Sequence, residues 1–367
     1  MPLRRLTLRD FRSYAALDLG LEGCSVVLTG PNGAGKTNLL EAVSLMGPGR
    51  GLRSARLSDV RRQGASGFGV GLGMDEATLS IRSQPPRPER REARIDGAPA
   101  SGPGAFLDHL RLTWLTPAQD RLFVEGASER RRFLDRMTLT QDRSHAQAAA
   151  RYEKAMRQRN AALAAPRSDP RLLSILEVQM AEAGVAVAAA RRETTARLAR
   201  GYDGLRQGAF PGARVALEGT LEEALADRPA SDVEAEFAAA LGATRRRDAE
   251  AGRTLTGPHR SDLHVTHAEK DQPARLCSTG EQKALLTGLV LAGAAARERD
   301  APLVLLLDEV NAHLDSDRRA SLAEILEGLG CQAMMTGTDA TLFAPWAGRA
   351  QFLRVTPGGV EGGDPPT

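Results

Sequence analysis

Gly30-Pro31-Asn32-Gly33-Ala34-Gly35-Lys36-Thr37 carries the most explicit chemistry in this sequence. It fits G-x-x-x-x-G-K-[ST], follows an apolar run from Ser25 to Thr29 and precedes a helix-like stretch from Asn38 to Met46. Three glycines let successive backbone N–H groups turn inward on a polyphosphate, Lys36 adds a point charge near the terminal phosphates, and Thr37 offers a hydroxyl to Mg2+. A Gly-rich turn would satisfy the bare pattern. The strand before it and the helix after it favour a nucleotide loop.

A second group of acids complements the first. Pro302 to Leu307 is a run fit for a buried parallel strand, and it ends in Asp308 and Glu309. In that position Asp308 holds Mg2+ through water, while Glu309 orients and polarises an attacking water. Loop and acids together specify ATP hydrolysis, with Lys36, Asp308 and Glu309 as catalytic groups and Thr37 and Asp308 as metal-side groups.

The elements that must bring these pieces together are legible in outline. Leu3 to Leu8 and Leu17 to Leu21 read as strands before the loop, Gly67 to Gly73 as a Gly-rich strand, and Ala77 to Ser83 and Arg94 to Ala98 as strands with a turn at Asp96-Gly97. Arg111 to Thr116 is a further strand. From Ser128, read as an N-cap, helical spacing continues to Ala164, and after the break Pro166 to Pro170 it resumes from Arg171 to Arg200, with Leu172, Ile175, Leu176 and Met180 on one stripe. Two such helices form an antiparallel hairpin of roughly 30 to 45 Å. Pro211 to Thr220 reads as a strand, Ser231 to Glu250 as a helix, and Gly358 to Thr367 as a frayed end. The expected division is residues 1–126 and 251–367 for the two halves of the nucleotide domain and 127–250 for the inserted arm.

Composition bounds the partners. The chain has 367 residues with 42% hydrophobic and 26% charged, which supports more than one core. Its net charge of +3 permits a polyanion partner without demanding one, and 4% aromatics is too few for a platform on which bases stack, so nucleic-acid contacts should go to phosphates. Three cysteines without C-x-x-C spacing argue against disulfides and zinc and fit a reducing cytoplasm. The start of the sequence carries charges where a signal core would be apolar, and no run reaches the roughly 18 apolar residues of a membrane span. Arg50, Arg53, Arg56, Arg61 and Arg62 face the single acid Asp59, as a phosphate-binding rim or as a solvated face. Arg130 to Arg132 and Arg245 to Arg247 are ion-paired or solvated by default, with DNA contact the second reading. His264 and His267 are read as ordinary strand residues rather than a metal pair.

Cys277-Ser278-Thr279-Gly280-Glu281-Gln282-Lys283 leads into a helix at Ala284 to Arg297, a helix-cap anion site taken alone. With the other motifs it resembles the signature motif of the ABC ATPase superfamily, and Asn311 to Asp315 resembles the D-loop. DFRSY at Asp10 to Tyr14, LTPAQDRLFVEGASERRRFLD, TLTGPHRSDL and CSTGEQK together narrow the likeness to the RecF family of DNA replication and repair proteins, over Leu3 to Thr338. The resemblance implies an α/β fold: an ABC-type P-loop ATPase head with mixed sheets plus an inserted short antiparallel helical arm. It also implies weak DNA-stimulated ATP hydrolysis with Mg2+, an ATP-dependent homodimer in which Ser278 and Gly280 act on the partner's nucleotide, nucleotide contacts from Arg12 and Ser13, and binding to single-stranded or gapped DNA. RecF-like proteins act with RecR and RecO to help RecA load in gap repair, replication restart and the SOS response.

Two departures stand out. Where ABC heads carry a switch histidine, Ala333 to Thr338 offers threonines, which cannot relay a proton as imidazole does and imply slow turnover. Gln119 beside Pro117 is a blurred Q-loop. A transporter's nucleotide-binding subunit would share the three motifs but not the arm or DFRSY, and an inert adaptor would bind nucleotide without hydrolysing it.

Overall fold

The computed structural model describes residues 2–167, 169–205, 209–297 and 301–366, without the side chains of Gly204 and His313, so the histidine of the D-loop-like stretch lies outside the described side chains. In chain order the first elements are β1 (Leu3–Phe11), β2 (Tyr14–Gly20), β3 (Ser25–Thr29), α1 (Lys36–Ser44), α2 (Leu57–Val60), β4 (Phe68–Met74), β5 (Thr78–Ser83), β6 (Glu92–Ile95), β7 (Ala98–Ala100) and β8 (Arg111–Leu115). Then come α3 (Ala127–Leu139), α4 (His145–Ala164), α5 (Pro170–Leu205), β9 (Ala213–Glu218), α6 (Thr220–Ala224), α7 (Ala230–Ala243), α8 (Arg245–Glu250), β10 (Asp262–His267) and β11 (Gln272–Pro273). The chain closes with α9 (Thr279–Ala295), β12 (Leu303–Leu307), α10 (Ser316–Leu329), β13 (Gln332–Gly337), β14 (Ala350–Thr356) and β15 (Gly359–Gly362).

These fall into two compact units, one of residues 1–120, 204–211 and 279–367, the other of 121–203 and 212–278. The first contains two six-stranded sheets, β2-β1-β4-β5-β6-β7 and β15-β14-β3-β13-β12-β8. The former is antiparallel. Its strand β1 turns Leu3, Leu6, Leu8 and Phe11 inward, and Gly71 of β4 is needed because a Cβ there would lie 2.4 Å from the Thr7 hydroxyl. The latter is parallel from β14 to β8, with β15 antiparallel at its edge. Strand β12 reads Leu-Val-Leu-Leu-Leu and is buried throughout, as a parallel strand covered on both faces must be. Each such side chain contributes about 1.5 to 3 kcal/mol of burial. Residues from both sheets and α1 share one apolar cluster. The far end of the chain, expected to fray from Gly358, instead pairs β15 with β14 up to Gly362.

The second unit departs from the expected arm at its far boundary. Its residues run on to Ser278 because β9 pairs with β10, Glu218 opposite Asp262 and Ala213 opposite His267, so the sheet-like sequence near Leu263 belongs with the helices. Helices α4 and α5 are antiparallel, with Arg151 reaching Glu182 and Arg159 reaching Glu177. At 20 and 36 residues they extend about 30 and 54 Å, so α5 exceeds the expected length. The buried stripe of α5 is Leu173, Leu176 and Met180, whereas Leu172 and Ile175 are 45% and 57% exposed, one residue out of register with the sequence expectation. The helix expected to run unbroken from Ser128 divides after Thr140, where the Asp142 carboxylate accepts hydrogen bonds from the Ser144 backbone and hydroxyl, and it is capped by Gly126 rather than Ser128. Pro170–Asp203 is long and apolar enough to cross a membrane by composition, against the sequence expectation, but 56% of its most apolar window is buried, as in a core helix.

Two ion-pair groups anchor this unit. Arg159 is fully buried and binds Glu177, Asp248, the Thr254 hydroxyl and the Leu241 carbonyl. Asp135 lies 2.8 Å from His145 Nε2 and accepts two hydrogen bonds from Arg191, at 2.7 and 2.9 Å. Burial pushes its carboxyl up, but His145 and Arg191 outweigh burial and hold it down at about 2. Because the folded value lies below the unfolded one, this stabilisation is present above about pH 4 and is lost as pH falls toward 2. Asp135→Asn is expected to lower unfolding free energy by about 2 kcal/mol at neutral pH and to shrink the loss between pH 4 and 2, read by urea titration.

Candidate nucleotide site

The order β3-β13-β12 in the parallel sheet sets the site. The glycine loop leaves the end of β3 and the two acids leave the end of β12, so one strand separates them, about 10 Å at 4.8 Å per step. Crevices beyond the carboxyl ends of parallel strands are where such sheets bind ligands. Residues far apart in sequence, Thr37 and Asp308, are thereby brought into contact.

The loop itself is fixed by its glycines. Gly30 has φ 146°, and a Cβ there would lie 2.3 Å from the Val355 carbonyl oxygen. Gly35 caps α1 at φ 111°, with the Tyr14 hydroxyl and Ser13 Oγ where its Cβ would be. Tyr14 is fully buried and donates to the Gly35 carbonyl at 3.2 Å; burial pushes its phenol up to about 12, so it remains a donor at working pH. Pro31, Asn32 and Gly33 are exposed, Ala34 is buried, and nothing lies within 4 Å of a Cβ placed on Gly33. Lys36 is 5% exposed, and its Nζ donates to the carbonyls of Gly30 and Pro31 at 2.8 and 3.1 Å. Its nearest carboxylate oxygen is Glu309 Oε1 at 3.9 Å.

Around the acids a short hydrogen-bonded chain forms. Thr37 Oγ1 donates to Asp308, 2.9 and 3.2 Å from its two carboxylate oxygens. Thr336, at the end of β13, donates to Asp308 Oδ1 at 2.7 Å and accepts the Glu309 N–H at 3.0 Å. Glu309 is held at φ 54°, a left-handed conformation unusual for a side-chain-bearing residue. Thr336 escaped the sequence reading as a site residue, although its segment was singled out for lacking histidine. Only the strand order shows that it stands between the glycine loop and the acids.

Residues expected at the nucleotide are placed unequally. Arg12 donates twice to the buried carboxylate of Glu41, at 2.8 and 2.6 Å, and once to the Asp59 carbonyl, so its guanidinium ties the start of the chain to α1. Ser13 stays at the loop, its Oγ accepting from Asn38 Nδ2 at 3.0 Å. Ser278 and Gly280 are exposed at the start of α9. Asp315 caps α10 through the Arg318 N–H, and Gln119 is turned back on Thr116 in a capping box. His264 is exposed and His267 buried, on opposite sides of β10, and no group of three or more metal-ligating side chains occurs among the described residues.

These residues fit a Mg2+-nucleotide. A buried ammonium whose contacts are two loop carbonyls, an open glycine crest at a helix N-terminus and a hydroxyl beside a carboxylate supply, in turn, charge, backbone donors and hard oxygen ligands. The absence of an all-protein metal cage is ordinary for Mg2+, which takes one or two protein ligands alongside phosphates and water.

The family described as RecF/RecN/SMC N terminal domain matches residues 2–356. A DNA replication and repair protein RecF of Rhizobium etli is 50% identical over 370 residues, spanning 98% of each chain. The RecF of Mesorhizobium japonicum is 51% identical over 367 residues, spanning 98% of this chain and 97% of its own. The chain belongs to the RecF family. Its fold is that of the recombination mediator RecF solved with an ATP analogue, at TM-score 0.83, 21% identity and coverage of 98% and 97%. It also matches an Smc head domain from Pyrococcus furiosus at TM-score 0.53 and 18% identity, covering 98% of this chain and 95% of that one.

In this RecF-family chain Arg130, Arg131 and Arg245 of the two arginine triplets are committed to structure, while Arg132, Arg246 and Arg247 lie on the surface. Arg130 donates twice to Asp262, at 2.7 Å each, and Arg131 donates to the Ser261 carbonyl. Arg245 is bound to Glu177 and Ser174, while Arg246 pairs with Glu250 on the surface. Arg132 pairs with Glu129.

Proposed function

We propose that this RecF-family protein is an ATP-dependent recombination mediator of the cytoplasm: a slow, DNA-stimulated ATPase that dimerises on ATP, binds single-stranded or gapped DNA without sequence preference, and acts with RecO and RecR to promote RecA loading, replication restart and SOS induction. The observation that carries the reading is the contact of Thr37 with Asp308, with Thr336 joining Asp308 to Glu309. It supports the reading by joining Thr37, Asp308 and Glu309 in one hydrogen-bonded chain.

Bound ATP with Mg2+ supplies the phosphoryl group and the metal's charge. The chain supplies the rest. Backbone N–H groups from Gly33 to Thr37 and the Lys36 ammonium bind and orient the phosphates, with Gly30, Pro31, Asn32 and Ala34 shaping the loop and Ser13 beside it. Thr37 and Asp308 would hold the metal, and Glu309 would take a proton from the attacking water at its carboxylate. Arg12, held by Glu41 and the Asp59 carbonyl, would stand with Ser13 beside the nucleotide. Ser278 and Gly280 would close over the partner protomer's nucleotide, so the terminal phosphate acts as glue and hydrolysis as release.

Sizing by light scattering tests this. Wild type is expected to shift to dimer mass with ATP and Mg2+, and Ser278→Arg, at an exposed position, to stay monomeric at saturating ATP while still binding it, with the weaker apparent affinity that loss of the linked dimer imposes. A wild-type mass that ignores ATP, or a Ser278→Arg variant that dimerises normally, counts against it.

A further inference from the structure

The arginine-rich stretch after α1 contains a second cavity, separate from the glycine loop. Its volume is about 500 Å3, and it lies between the exit of α1, the start of α2, the β5–β6 connection and the turn after β7. Arg50, Arg56, Arg90 and Arg91 line it with one acid, Glu89, and the hydroxyl-bearing Ser101.

The charge here is uncompensated, unlike that of neighbouring arginines. In the same unit Arg4 pairs with Asp75, Arg12 and Arg53 with Glu41, Arg62 with Asp10 and Arg82 with Glu92. Arg91 has no carboxylate partner among the described residues. It donates to the carbonyls of Leu45, Gly47 and Gly49, and burial lowers its pKa from the ordinary value. Arg50, Arg56 and Arg90 are exposed and make no side-chain hydrogen bond or ion pair among the described residues. Like charges gathered without counter-ions repel one another, so the arrangement is relieved by an anion entering the cavity. Forked guanidinium donors match phosphate oxygens, and the absence of any aromatic side chain from the lining leaves nothing for a base to stack on.

We infer that this cavity is a phosphate-binding site that takes the sugar-phosphate backbone of DNA, with Arg50, Arg56 and Arg90 as its ligands and Arg91 as the brace that fixes its wall to the exit of α1. The inference rests on the DNA-binding reading above and deepens it by naming the surface. Glu89 at the rim opposes the anion, and it makes the cavity selective for a ligand that engages several arginines at once.

The test is the salt dependence of binding to gapped duplex DNA, with the protein saturated by a non-hydrolysable ATP analogue. Arg50→Ala/Arg56→Ala/Arg90→Ala is expected to reduce the slope of log affinity against log salt by about 2 to 3, near 0.9 for each phosphate no longer neutralised, without changing affinity for the analogue. Arg4→Ala/Arg5→Ala/Arg82→Ala, which removes the same charge from paired surface positions, is expected to leave the slope near wild type. An unchanged slope in the first variant overturns the DNA assignment. A wild type that binds no DNA instead sinks the reading on which the assignment rests. In either case pyrophosphate titration of the analogue-saturated protein decides the cavity itself. Binding abolished in the first variant keeps it as a site for free phosphates, and binding absent or unaltered removes it.

Discussion

Lys36→Ala is expected to weaken ATP binding and hydrolysis by about 10^3-fold, the scale of losing a preorganised charged donor from a water-poor site. Among the described residues near the loop, Lys36 is the cation whose Nζ already lies against the Gly30 and Pro31 carbonyls. Arg12 and Arg53 are already paired with the buried Glu41 carboxylate and are not free to take its place. The fold should hold. The variant leaves two loop carbonyls without a donor, costing about 1 to 3 kcal/mol, while the glycine conformations and the apolar cluster around α1 are untouched. Nucleotide titration measures the first effect, and melting with and without ATP separates it from unfolding, because wild type gains stability from ligand and the variant does not. Affinity within about tenfold of wild type would remove Lys36 from the site.

How much of this was legible beforehand follows from what each feature depends on. The glycine loop and the paired acids are local patterns, so spacing and residue type were enough. The place of Thr336 depends on strand order, and nothing in a linear sequence says that Gln332–Gly337 lies between Ser25–Thr29 and Leu303–Leu307. The boundary of the helical unit failed for the same reason, since β9 and β10 pair across the intervening helices α6, α7 and α8. The Arg12–Glu41 pair was not anticipated because Glu41 is a buried acid one helical turn beyond Thr37, at a position the motif does not name. The stripe on α5 slipped by one residue because Leu172 and Leu173 satisfy helical spacing equally, and only tertiary burial chooses between them.

Glu309→Gln is expected to retain ATP binding and dimerisation and to slow single-turnover hydrolysis by about 10^2- to 10^3-fold, the range for a lost general base. The amide preserves size and hydrogen bonding but cannot accept a proton from water. Position matters as much as basicity here, because Glu309 sits at φ 54° and its backbone N–H is held by Thr336, whose hydroxyl also reaches Asp308 at 2.7 Å. Thr336 therefore joins Asp308 to Glu309 from within the segment that offers threonines in place of a switch histidine, and it does so without a titratable ring. Thr336→Val keeps shape and removes both hydrogen bonds, so it should lower the hydrolysis rate in the same direction at near-constant ATP affinity, and Thr336→Ser should restore it. Equal single-turnover rates for wild type and Glu309→Gln would mean that the site binds ATP without Glu309 acting on water. Equal rates for wild type and Thr336→Val would leave Asp308 and Glu309 positioned by the sheet alone.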